Sequence, residues 1–190
     1  MRFTLTYRGP LRGSSGGSAQ HKHEVRRALH PQLKALWEFE PLRNVKSEWV
    51  DSMPVPDKWA RGRARRELSG HHFAVLVQHH LKLVAELDIL LLRPEQPGNI
   101  LQRADIDNRL KVLFDALRRP EKARELPASW QPDASEEPLY CLLDDDRLIT
   151  WVNVDSDRLL AASSPEDVSL TMRVTVRASS PTHASLQLIY

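Results

Sequence analysis

The chain has 190 residues, 41% hydrophobic and 27% charged, with a formal charge of +2. That is the profile of a globular protein long enough to bury a core without crosslinks. Its one cysteine, Cys141, excludes an intrachain disulfide and points to a reducing compartment, the cytoplasm. The most apolar stretch, 81–92, is interrupted by Lys82, Glu86 and Asp88 and is too short for a bilayer, and the opening residues lack the apolar run of a signal peptide, so no membrane partner is expected.

The net charge conceals an asymmetry. Residues 1–100 hold 16 Lys/Arg against 10 Asp/Glu (+6), and residues 101–190 hold 11 against 15 (−4). Such halves suit a protein that holds a polyanion with one surface and a cation with another.

In chain order, residues 2–7 alternate polar and apolar as a half-buried strand does, and the Gly/Ser-rich 9–18 reads as a loop. Residues 21–39 suit an amphipathic helix with Val25, Leu29, Leu33, Leu36 and Trp37 near one face, kinked or split at Pro31. Residues 40–57 contain three prolines and no clear period, as an excursion would. The run KWARGRARR, 58–66, holds five cations and Trp59. It fits a patch in which Lys58, Arg61, Arg63, Arg65 and Arg66 grip phosphates, and it equally fits a solvated helical face. Arg26, Arg27 and Lys34 are secondary candidates for the same task.

Two apolar runs, 73–77 and 81–92, read as strands of a hairpin whose ends carry His71, His72, His79 and His80. No cysteine pair accompanies these histidines, and their spacing matches no zinc signature. Residues 107–119 give the clearest helix: Ile106, Leu110, Leu113, Phe114 and Leu117 keep the helical period, Asp107 or Asn108 caps the start, and Pro120 stops it. A polar, proline-rich surface loop over 121–139 follows, then strands at 147–154, 168–177 and 184–190. The class is mixed α/β.

The chemistry concentrates in acidic segments. Asp105 and Asp107 stand two residues apart, which in extended backbone puts both carboxylates on one side, able to chelate or bridge a hard cation. Asp144-Asp145-Asp146 follows about forty residues later. Magnesium takes one or two carboxylates and fills its octahedron with water and substrate phosphate, so two such segments brought together could serve a phosphodiesterase. Spacing alone favours plain turns and a surface ion-pair row of Asp107, Lys111 and Asp115 at i, i+4, i+8.

The wording of the segments changes that balance. Asp105-Ile106-Asp107-Asn108-Arg109-Leu110-Lys111, continuing through Phe114-Asp115-Ala116-Leu117, resembles the central DxDN…K…DAL motif of the RusA-type Holliday-junction resolvases. Leu143-Asp144-Asp145-Asp146-Arg147-Leu148-Ile149 resembles that family's paired-aspartate segment. The match covers residues 83–118 and 142–154, under half of the chain. The resemblance implies an α+β fold with a single mixed sheet packed against two main helices, in one domain over 1–190 with insertions at about 40–70 and 119–139. It implies a homodimer that cuts four-way DNA junctions with Mg2+ or Mn2+, leaving 5′-phosphate and 3′-hydroxyl ends. Asp105 and Asp107 would bind metal and Lys111 would contact the scissile phosphate. The later ligand is Asp145 or Asp146: one register pairs Asp144 with Asp145, the other Asp145 with Asp146. Asp115, some 12 Å along the helix from Asp107, is expected to pair with Lys111 or Arg118. Cys141 is read as a core or strand residue. The alternative is a protein of the same fold that binds branched DNA without cutting it.

Overall fold

The computed structural model describes residues 1–13, 17–52, 64–94, 106–164 and 166–189. In chain order their elements are β1 (Arg2–Pro10), α1 (Ala19–Leu36), α2 (Leu42–Trp49), β2 (Arg65–Leu68), β3 (His71–Val77), β4 (Leu83–Arg93), α3 (Ile106–Leu117), β5 (Leu139–Leu143), β6 (Ile149–Arg158), β7 (Asp167–Ala178) and α4 (His183–Ile189). The expected α+β character is present. The expected single sheet is not: the strands divide into a four-stranded sheet, β1-β7-β4-β6, and a three-stranded sheet, β2-β3-β5.

The division occurs at residues 78–82. A 3₁₀ turn at His79–Leu81 and the left-handed Lys82 (φ 55°) swing the chain out of the plane of β3. The amide of Leu83 and the side chain of Gln78 then bond locally, the latter to the Val75 carbonyl at 2.7 Å. The two apolar runs therefore make no hairpin with each other. β3 pairs antiparallel with β2 and parallel with β5, while β4 pairs parallel with β6 and antiparallel with β7. Burial accounts for the choice. Residues 73–77 are buried on both faces, as a central strand with a parallel neighbour requires, whereas β4 alternates buried and half-buried residues.

Helix α1 joins the sheets by packing on β1, β5 and α3. Val25, Leu29 and Leu33 face the core as its period requires, and Ser18 caps it by accepting from His21 N–H at 3.1 Å. Pro31 neither splits nor ends the element: α1 runs from Ala19 to Leu36 with Pro31 inside it, on the exposed face. Two further expectations are corrected. Residues 42–49 form α2, whose Leu42 and Trp49 enter the core, although the surrounding prolines hide any period. Residues at the C-terminal end form α4 and not a strand: Ser185 N–H bonds Thr182 Oγ1 at 3.1 Å and Thr182 N–H bonds Ser185 Oγ at 2.8 Å, closing a helical N-terminus. The proline-rich 121–139 is more than a surface loop. Leu126 and Trp130 bury themselves with Phe73, Val75, Leu139 and Cys141 in a second small core. No described helix is long and apolar enough to cross a membrane.

Candidate functional site

Helix α3 carries the acidic motif. Its buried residues are Arg109, Val112, Leu113, Ala116 and Leu117, at i, i+3, i+4, i+7 and i+8. This face is rotated from the expected one, so that Leu110 and Phe114 only flank the core. The inward Arg109, which donates to the Leu11 carbonyl at 3.0 Å, marks the rotation. Asp107 and Lys111 consequently face solvent, with side chains 61% and 66% exposed and Lys111 Nζ 3.2 Å from Asp107 Oδ2. Asp107 lies within the first turn, where a carboxylate favours the helix dipole, and is not the residue that caps it.

The aspartate run follows β5 and meets the other end of α3. Arg119 N–H bonds the Leu143 carbonyl at 2.9 Å, and the Arg119 guanidinium pairs with Asp144. Asp144 is thereby engaged as a structural partner. Asp145 caps the 3₁₀ turn Asp146–Leu148, accepting from Arg147 N–H at 2.9 Å and from its guanidinium at 3.0–3.2 Å. Asp146 hydrogen-bonds Asp145. Burial alone would raise both carboxyls. For Asp145 the backbone and guanidinium donors of Arg147 and the proton of Asp146 outweigh it, holding that group below the usual carboxylate range. For Asp146 burial and the bond to Asp145 prevail over the charge of Arg118, and its pKa is raised. The two neighbouring carboxyls are thus pushed in opposite directions, Asp145 down and Asp146 up.

Asp115 stands near this pair, close enough for its charge to act on Asp146. It is held by Lys22 at 2.6 Å and Arg118 at 3.3 Å, of which Arg118 was an expected partner. Asp107 lies two helical turns, about 12 Å, before Asp115. The structure therefore gathers Asp145, Asp146 and Asp115 at one end of α3 and leaves Asp107 with Lys111 at the other. Asp105, Lys58, Arg61 and Arg63 lie outside the described residues. Among the described residues no three His, Cys, Asp or Glu side chains stand close enough to hold a metal ion. The donor chemistry at Asp145–Asp146 nevertheless fits a hard cation, since both are neighbouring carboxylates.

The remaining basic candidates are largely consumed inside the fold. Arg66 is 4% exposed and donates to Gln78, and Arg65 faces Glu137 at 3.6 Å. Arg26 is buried, Arg27 pairs with Glu136, and Lys34 donates to the Ser135 carbonyl at 2.8 Å. His71 stacks near Trp130, with ring centroids 4.6 Å apart, and His72 bonds Glu137. Reading by sequence missed the basic group at the junction of α1 and α3, formed by Lys22, Arg26, Arg118 and Arg124. Of its members only Arg26 is among the sequence candidates, and the Arg118–Arg119 pair ending the acidic helix is the further sequence signal. Comparison with protein-family models, with curated proteins and with solved structures gives no match.

Proposed function

We propose that the chain is a metal-dependent endonuclease that hydrolyses phosphodiesters of four-way or otherwise branched DNA. The observation that carries this reading is the placement of the neighbouring Asp145 and Asp146 carboxyls at the end of the acidic helix α3, with Asp115 close enough to act on Asp146. Two neighbouring carboxylates offer Mg2+ or Mn2+ the hard oxygen donors that such ions take. When bound, the ion supplies an activated water and neutralises charge on the departing oxygen.

The chain's own residues have distinct tasks in this reading. Arg147 fixes the rotamer of Asp145, so the pair is oriented before any ligand arrives. Lys111 is exposed and reaches a phosphate by releasing Asp107, an exchange that costs little because both side chains are solvated. Asp105 and Asp107 are assigned as the further carboxylates, at the start of α3. A strand of DNA along the stripe Asp107, Lys111, Asp115 meets both acidic ends of the helix. The homodimer that two symmetric cuts require has a natural seat at β6, which among the described residues is an edge strand paired only with β4 and exposes Trp151 and Val152. The lone buried Cys141 suits the cytoplasm.

A second reading, binding of branched DNA without cleavage, is favoured by the separation of Asp107 from the Asp145–Asp146 pair. Cleavage of a labelled four-way junction, beside matched duplex and single strands, decides between them. Wild type and Asp107→Asn are compared in Mg2+ and in Mn2+. Junction-selective nicking lost in the variant is expected. Junction binding by both proteins without cleavage in either metal selects the second reading, and absence of both binding and cleavage overturns each.

A further inference from the structure

A polar cavity of about 230 Å³ lies beside Asp115, and Lys22, Arg26, Arg118 and Arg124 line it together with Asp115 and Glu125. Four cations thus face two acids. Ala19, the first residue of the 18-residue α1, is also in the wall, which places the positive end of a long helix at the same space.

Part of this charge is already paired. Lys22 meets Asp115, and Arg118 meets both Asp115 at 3.3 Å and Glu125 at 2.9 Å. Arg26 is different. It is 2% exposed, donates to the carbonyls of Arg118 at 3.0 Å and Asp115 at 2.8 Å, and meets His23 Nδ1 at 3.3 Å. Carbonyls and an imidazole solvate a buried guanidinium without neutralising it. Arg124 is exposed, and among the described residues it has no hydrogen bond or ion pair. One buried cation in the wall with no carboxylate bonded directly to it, and one unengaged guanidinium beside it, present the planar, forked donors that phosphate oxygens accept.

We infer that this cavity is a binding site for a phosphate group, held by Arg26 and Arg118 from the wall and by Arg124 from the rim, with Glu125 as the anion that competes for Arg118. The inference stands on this geometry and is independent of the nuclease reading. A phosphate here comes from a nucleic-acid strand or from a free or small-molecule phosphate.

Calorimetric titration of the full chain in chelator, at fixed ionic strength with chloride as baseline, tests it. The probes are inorganic phosphate and thymidine tetranucleotides bearing either a 5′-phosphate or a 5′-hydroxyl. Loss of one charge-assisted contact in Arg124→Gln weakens phosphate binding about tenfold, whereas Glu125→Gln tightens it. Opposite signs from neighbouring substitutions do not arise from general unfolding. Tighter binding of the 5′-phosphorylated strand identifies a strand end as the source. Equal binding of both strands, still dependent on Arg124, identifies the backbone. Binding of inorganic phosphate alone identifies a small phosphate. No heat beyond the chloride baseline, unchanged affinity in Arg124→Gln, or weaker binding in Glu125→Gln overturns the site. A wild-type protein that takes phosphate and cuts no DNA retains this site and loses only the nuclease reading.

Discussion

Replacing Asp146 with asparagine separates the electrostatics of the aspartate pair from its packing. In the folded chain Asp146 has a raised pKa, because partial desolvation of a carboxyl still largely open to solvent, and its hydrogen bond to Asp145, favour the protonated form. An acid whose folded pKa exceeds its unfolded value removes stability as pH rises from about 3.9, the unfolded range, through the folded value. Asp145, with a lowered pKa, contributes in the opposite sense: its stabilisation is present above the unfolded range and is lost on acidification. The amide introduced by Asp146→Asn can donate to Asp145 at every pH, so the substitution deletes the unfavourable member and keeps the favourable one. Asp146 is solvent-exposed, and screening reduces the gain at pH 7 to about 0.3–1 kcal/mol. For a chain of this size that is a rise of about 1–3 °C in Tm. Differential scanning fluorimetry from pH 4 to 8 in chelator measures it. Adding Mg2+ supplies the second half of the test. A cation at about one hundred times its Kd stabilises the wild type by about 2.7 kcal/mol, and Asp146→Asn is expected to lose most of that shift. A variant less stable than wild type at pH 7 in chelator would refute the raised pKa of Asp146. An undiminished Mg2+ shift would refute the role of the pair in holding a cation.

Two further outcomes follow from the fold. Leu113→Ala empties a fully buried position between α3 and the core and is expected to cost about 2–5 kcal/mol in urea unfolding; a cost under about 1 kcal/mol would mean that α3 is not packed as described. His23 is 1% exposed, and burial and then the Arg26 charge push its pKa down to about 3. A base with a lowered folded pKa loses stability as pH falls below its unfolded value, so about 3 kcal/mol should disappear between about pH 6.5 and 4. NMR titration of the His23 ring that shows protonation near its ordinary value, about pH 6.5, would contradict this.

Local physics set what could be read from the chain alone. Period-two alternation marked the strands around residues 2–7, 81–92 and 168–177, and helical period with Pro120 marked the helix after Asp107, because those signals are carried by neighbouring residues in one element. The exposure of Asp107 and Lys111 also followed from their stripe. The tertiary structure decided matters of long-range pairing. Whether 73–77 joined 81–92 or 139–143 depended on which neighbour could bury both faces of β3, and the strand expected at 184–190 gave way to α4 with its Thr182–Ser185 cap. Arg66 and Arg26 read as surface cations, yet tertiary carbonyl and amide acceptors far along the chain draw both inside. The ends of α3 show the same limit. Sequence brings the two acidic segments to one helix through their motif, but only the pairing of Arg119 with Leu143 and Asp144 decides that the later aspartates lie at its C-terminal end, beside a basic cavity assembled from residues about ninety positions apart.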